Sequence, residues 1–116
     1  LASDQKTLPA VFYRSPSSTE PVRDWLKNLA RADRLIIGHD IGDTEYGWPV
    51  GMPLCRALGG GLWEVRSTLS HGRIARVIFC ISAGKMVLLH GFEKKSQKTP
   101  QPDWEIARRR QKEIER

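Results

Sequence analysis

Between Leu62 and Phe92 the chain passes through three apolar segments with only short turns between them, a spacing that few folds other than an antiparallel sheet accept. Leu62 to Leu69 is rich in β-formers and Ser70-His71-Gly72 is turn-like. Ile74 to Ile81 is dominated by β-branched and aromatic residues, and Ser82-Ala83-Gly84 turns the chain into Met86 to Phe92. Three consecutive antiparallel strands are expected. Strict alternation puts Glu64 and Arg66 on one face of the first, Arg76 on one face of the second, and His90 beside Met86 and Leu88 on the third. If those faces coincide, arginines and a histidine line one side of a sheet.

Before residue 42 the apolar period is about 3.6 rather than 2. Ala10 to Arg14 is a short β-prone run that can join the later three strands, its aromatic residues reading as core or edge packing. Ser17-Ser18-Thr19 offers a helix cap, Pro21 falls in the first turn, and Val22, Trp25, Leu26 and Leu29 recur at helical spacing, with Trp25 as the anchor on the sheet. A second helix is expected after Asp33, with Leu35, Ile36 or Ile37, and Ile41 as its apolar face, so that the two form a helical hairpin. Gly38, Gly42 and Gly47 each weaken it by about 1 kcal/mol relative to alanine. From Gly42 to Gly61 the chain reads as a loop, with an apolar hook from Met52 to Leu58 tucked under the sheet and Gly59-Gly60-Gly61 as a flexible lead into a strand. No helix follows those glycines, so they are not a phosphate cradle.

After the strands, Glu93 to Gln101 is polar, basic and without period, which predicts a loop. Pro102 and Asp103 start a final helix whose seam is Trp104, Ala107, Gln111 and Ile114. Arg108, Arg109, Arg110, Lys112 and Arg116 lie off that seam, either as a solvated face or as an RNA contact. The fold class is therefore α/β (α+β): one domain over residues 8–116, an antiparallel-rich sheet packed against an N-terminal helical hairpin, with a C-terminal helix. Leu1 to Thr7 are expected to be disordered or foreign to the natural chain.

Charge divides unevenly. The net charge is +6, but residues 1–50 hold six Lys/Arg against seven Asp/Glu, while residues 51–116 hold thirteen against six. A positive field concentrated on the sheet and C-terminal segment favours a polyanionic partner, nucleic acid or an acidic protein, over a neutral small molecule. Cys55 and Cys80 lie far apart without a paired motif, which indicates neither a zinc site nor a disulfide framework, and Cys80 reads as a small buried hydrophobe. His39 and Asp40 lack a second histidine nearby and read as a solvated helix end, so no metal is expected. With no apolar run of membrane length and no signal core in the first residues, no membrane partner is expected and the location is cytoplasmic.

The residues Gly61-Leu62-Trp63-Glu64-Val65-Arg66, then Arg76-Val77-Ile78-Phe79, then Leu88-Leu89-His90-Gly91-Phe92-Glu93-Lys94-Lys95-Ser96-Gln97-Lys98-Thr99-Pro100 resemble the RelE/HigB branch of the RelE/ParE toxin superfamily, in particular its phage-derived-protein subgroup. The resemblance covers about a third of the chain strongly, and the order of the other elements agrees with it. It implies the toxin of a toxin–antitoxin system, a compact domain that enters the ribosome and cuts messenger RNA as a metal-independent endoribonuclease (an mRNA interferase) without a cofactor. The implied partners are the ribosome, mRNA and a cognate acidic antitoxin of helix-turn-helix, DNA-binding type. The alternative is a ParE-like, non-enzymatic inhibitor of DNA gyrase, which shares the fold.

Metal-free RNA cleavage needs a base for the 2′-hydroxyl, an acid for the leaving 5′-oxygen and positive donors at the phosphate. Arg76, in the position of the family's strand arginine, is the first choice for the scissile phosphate, with Arg66 or Arg73 assisting. His90 reads either as a satisfied half-buried residue or as a proton shuttle. Lys94, Lys95 and Lys98 repel one another in one loop, which eases proton loss from at least one of them and makes it a better base or acid. Lys98, Arg108 and Arg109 are further RNA-binding candidates. Some members of the family use a tyrosine near the C-terminus, but Tyr13 and Tyr46 are the chain's two tyrosines and Ala75 precedes Arg76. Base stacking and acid catalysis therefore fall to Phe92, His90 or Trp104.

Overall fold

The computed structural model describes residues 5–93 and 98–115. In chain order the elements are β1 (Ala10–Phe12), α1 (Pro21–Lys27), α2 (Arg31–Gly47), β2 (Cys55–Gly59), β3 (Leu62–Thr68), β4 (Ile74–Ser82), β5 (Lys85–Glu93) and α3 (Gln101–Ile114). The five strands form one mixed sheet in the order β1-β5-β4-β3-β2, in which β1 runs parallel to β5 and every other pairing is antiparallel. α1 packs on β5 and α2 on β3, both on one face, while α3 covers β4 and β5 on the other. The α+β class, the helix pair on one face and the C-terminal helix agree with the sequence reading.

Each face has its own core. Val22, Ile37 and Ile41 of the helix pair meet Val65, Val77, Phe79, Met86 and Leu88, whereas Ala107 of α3 meets Leu62, Ile78, Cys80, Val87, Leu89 and Phe92. Trp48 stands edge-on to Trp63 and Phe79, with ring centroids 5.0 and 5.5 Å away, and closes the first core beyond the end of α2. Cys55 and Cys80 are buried on opposite faces, and burial pushes the Cys80 thiol up to about 11, which leaves it unreactive at neutral pH.

Four local expectations differ from what forms. The Met52–Leu58 hook is instead the edge strand β2, because Gly59, Gly60 and Gly61 all take positive φ and fold back as a hairpin turn that side chains would resist. α2 begins at Arg31 and crosses both Gly38 and Gly42 to reach Gly47. Its buried stripe is Asp33, Ile37, Ile41, Thr44 and Glu45, three of the five polar, and Leu35 and Ile36 face solvent. The polar members are satisfied: Asp33 by Arg73, Thr44 by the Asp40 carbonyl, and Glu45 by the Ala10 amide and Lys6. Ser15 and Thr19 bond to each other instead of capping α1, whose cap position is Glu20 without a side-chain bond. Lys6 pairs with Glu45, and the Thr7 hydroxyl donates to the Tyr46 carbonyl.

The fourth difference decides the site. Ile78 pairs with His90 but Phe79 pairs with Leu88, so Leu89 is an extra residue and β5 carries a bulge. Leu89 and His90 therefore both face α3, and His90 lies opposite to Met86 and Leu88, not beside them. Gly91 then faces α1, where a Cβ would lie 2.3 Å from the Trp25 ring. The indole comes this close to the sheet only because this residue has no side chain. Among the described residues, no helix is long and apolar enough to cross a membrane.

The contact predicts opposite effects for two glycine substitutions. Gly91→Ala forces Trp25 off the sheet and should cost about 1–3 kcal/mol. Gly38→Ala, exposed in α2 with nothing near its Cβ, should gain up to about 1 kcal/mol. Urea denaturation of the two variants checks both signs; equal midpoints would mean that Trp25 does not lie on Gly91.

Candidate functional site

The bulge adds His90 to the charged residues that β2, β3 and β4 carry on the α3 side of the sheet. Register places them in two rows. Arg56 of β2, Glu64 of β3, Ile78 of β4 and His90 of β5 form one; Arg66, Arg76 and Phe92 form the next. Like charges directly opposite one another, as at Arg66 and Arg76, are unfavourable without a counter-charge. Glu64, two residues before Arg66 on the same face, supplies it, its Oε1 lying 3.9 Å from Arg66 Nε. Three arginines against one glutamate leave this patch two positive charges in excess.

Glu64 and Arg76 are both fully buried. The cover comes from the residues just before α3: Thr99 donates its hydroxyl to Glu64 Oε2 at 2.9 Å, and Arg76 Nη1 donates to the Lys98 carbonyl at 2.9 Å. Burial lowers the pKa of Arg76, with Arg66 and Arg56 acting in the same direction and Glu64 against them. Its guanidinium nevertheless stays charged at neutral pH. A buried ion cluster of this kind is costly to desolvate, and its members lean on their mutual attraction together with the bonds from Thr99 and to the Lys98 carbonyl. Arg66 and Arg56 are half-buried, so an anion approaching from solvent meets these two before Arg76.

His90 completes the rows. Its Nε2 lies 2.7 Å from Asp103 Oδ1 in the first turn of α3, and its ring stacks on Phe92 with centroids 5.5 Å apart. Burial lowers the His90 pKa while Asp103 pulls it up. The ring is thus neutral at pH 7, with the Nε2–H donating to Asp103 and Nδ1 left as the acceptor, a state suited to taking a proton. α3 is fastened by three more polar links. Arg110 donates to the Leu89 carbonyl, Gln111 donates to the Gly60 carbonyl, and the Tyr13 hydroxyl donates to the Glu113 carboxylate.

The remaining candidates sit elsewhere. Arg73 forms a two-pronged pair with Asp33 of α2 and also bonds Glu93, so it fastens the edge of β4 to the helix pair and does not join Arg76. Phe92 is buried against α3 and stacks on His90, which removes it as a platform for bases. Arg108 donates to Gln111 within α3, and Arg109 is exposed on the same helix. Lys98 lines a cleft beside β2. Lys94 and Lys95 lie outside the described residues. His39 stands on the exposed face of α2 next to Asp43, within the helix and not at its end. Arg56, Thr99 and Asp103 belong to the site but escape a sequence reading, because β2 was not recognisable as a strand and the His90–Asp103 pair depends on the bulge.

Asp103→Asn should lower the His90 pKa further, since it removes the charge that opposes burial and leaves the desolvation. A histidine titration followed by NMR measures the shift. An unchanged or raised pKa would mean that the two side chains are not paired in solution.

A family profile described as phage derived protein Gp49-like (DUF891) matches residues 24–112. The matched span begins in α1, ends in the last turn of α3 and contains every residue of the two rows. No curated protein resembles the chain closely enough to count as a match. With most of its length and its whole charged face inside the matched span, the chain belongs to the phage derived Gp49-like family.

Proposed function

We propose that the chain is the toxin of a toxin–antitoxin pair and that, like RelE/HigB-type toxins, it stops translation by cutting messenger RNA in the ribosome. The observation that carries this reading is the pair of rows on the α3 side of the sheet, where Arg56, Arg66 and Arg76 surround Glu64 and end at His90. Membership of the Gp49-like family and the resemblance of residues 61–100 to the RelE/HigB branch support it. A surface that holds a protein such as gyrase gains little from concentrating guanidinium groups around one buried carboxylate. Phosphoryl chemistry gains a great deal, because the transition state carries extra charge on the phosphate oxygens.

In this reading the 2′-oxygen attacks the adjacent phosphorus, the bond from phosphorus to the 5′-oxygen breaks, and the products are a 2′,3′-cyclic phosphate and a 5′-hydroxyl. The proton leaves the 2′-hydroxyl for a base and another is supplied to the 5′-oxygen. Neutral His90 is the base or, once protonated, the acid. Arg66 and Arg56 hold the phosphate, with Arg76 behind them reinforcing the positive field.

Translation in a purified system followed by mapping of messenger 5′ ends tests this. Wild-type protein should produce discrete cuts, and Arg66→Ala should slow them by about 10² or more. Arg76→Ala removes a buried charge and should also destabilise the fold, so Arg66 is the cleaner probe. Intact messenger together with inhibited gyrase would replace the reading by the ParE-like one.

The same reading carries a cognate acidic antitoxin, of helix-turn-helix type, as the partner that keeps the toxin inactive. Its docking should be steered by the basic half of the chain, residues 51–116. The association rate should fall markedly between low and physiological salt, with dissociation changing less. A rate independent of salt in stopped-flow mixing would separate the pairing from this charge.

A further inference from the structure

Where the edge strand β2 meets the start of α3, a cleft of about 360 Å³ opens. It is lined by Arg56 and Leu58 of β2, by Lys98 and Thr99, and by Gln101 and Trp104 of α3. Its volume lies within the range of about 300–1,000 Å³ typical of small-molecule sites. The lining divides into three kinds of group. Trp104 and Leu58 both pack against the α3-side core and border the cleft, so they provide its apolar surface. Arg56 and Lys98 provide positive charge, reinforced by the first turn of the 14-residue α3, which starts at Gln101. Thr99 and Gln101 provide acceptors: the Thr99 hydroxyl gives its proton to Glu64 and the Gln101 amide nitrogen donates to Glu105, which leaves an oxygen of each available.

A ligand that uses all three is flat and aromatic, bears a negative group, and carries an amino group as donor. We propose that this cleft binds one nucleotide, with its base against Trp104, its phosphate between Arg56 and Lys98, and its exocyclic amino group toward Thr99 and Gln101. Base–aromatic stacking is worth about 1–3 kcal/mol per base, enough to fix a nucleotide's position when a phosphate contact accompanies it. Acceptor oxygens on the protein favour bases with an exocyclic amino group, so adenine, cytosine and guanine fit better than uracil. Arg56 also stands opposite Glu64 in the sheet, so the cleft opens directly beside the arginine rows. Taken with the RNA-cutting reading, on which this extension rests, the nucleotide is one that flanks the cut, and the cleft sets base preference there.

The test follows the indole N–H signals of the ¹⁵N-labelled full chain during titration with AMP, CMP, GMP, UMP and ribose 5-phosphate. Trp104 should shift with AMP, CMP or GMP, less with UMP, and hardly at all with ribose 5-phosphate. Arg56→Gln should weaken binding at least tenfold, and Trp104→Leu should abolish the base-dependent part, whereas Trp104→Phe keeps it. Unchanged Trp25, Trp48 and Trp63 signals in each variant show that the fold is intact. A trinucleotide that binds at least tenfold tighter than a mononucleotide assigns the cleft to an RNA strand, and equal affinity assigns it to free nucleotide. Ribose 5-phosphate shifting Trp104 as strongly as AMP would overturn the proposal, as would a glutamate-rich peptide that moves Trp104 when no nucleotide does. Nucleotide binding without messenger cutting would leave the cleft and remove the nuclease reading; cutting without any nucleotide at Trp104 would do the reverse.

Discussion

The structure depends on a carboxylate that has no access to water. Glu64 lies in the middle of β3 with Arg56 opposite on one side and Arg66 and Arg76 in the next row, and the Thr99 hydroxyl bonds it from above. Two arginines paired directly across strands would push β3 and β4 apart in a low-dielectric setting. One negative charge between the rows lets both strands keep register. Removing a single partner from such a buried set costs about 3–5 kcal/mol, because the charges left behind stay desolvated. Glu64 therefore joins β2, β3, β4 and the segment before α3 into one electrostatic unit.

That unit explains why the two faces of the sheet are covered so differently. The face under α1 and α2 is apolar at its centre and holds its polar side chains at the margins, where Arg73 meets Asp33 and Lys6 meets Glu45. On the other face the apolar ground is shared with the arginine rows, so α3 finds less of it to bury. Its attachment is accordingly more polar. The bonds from His90 to Asp103, from Arg110 to the Leu89 carbonyl, from Gln111 to the Gly60 carbonyl and from Tyr13 to Glu113 recur along the helix and tie it to β5, the β2–β3 turn and the end of β1. Arg110 also lies over the Tyr13 ring, 5.5 Å from its centroid.

The strand regions and Trp25 were legible because each follows from local pattern: period 2 from residue 62, period 3.6 around Val22, and a large aromatic on the apolar stripe. β2 was not, since Cys-Arg-Ala-Leu has no strong strand propensity and becomes a strand by pairing with β3 after the three-glycine turn. The seam of α2 was misread because counting apolar residues passes over Asp33, Thr44 and Glu45, whose burial is made tolerable by partners distant in the sequence. Alternation put Glu64 and Arg66 on one face of β3, and the pairing of Arg66 with Arg76 brings Arg76 to that face. His90 reached that face for another reason. Alternation assigns it to the side of Met86 and Leu88, and only the extra residue in β5 turns it toward Arg76. A bulge leaves no mark in composition, so the histidine's place could not be read from the chain alone.

The same bulge ties the chemistry of the face to the position of α3. His90 meets Asp103 only because it points toward α3, and Asp103 lies four residues after Thr99, which bonds Glu64, and five after Lys98, whose carbonyl accepts from Arg76. An anion that is to reach Arg76 directly must displace that carbonyl, and the displaced residues are joined without a break to the first turn of α3. Access to the buried arginine and the orientation of the histidine are therefore not independent. Whatever draws residues 98–99 off the rows also pulls on the carboxylate that fixes the His90 tautomer, whereas a ligand held by Arg56 and Arg66 alone leaves both in place. The half-buried arginines can thus bind without disturbing the site, and the buried one can be reached only by changing it.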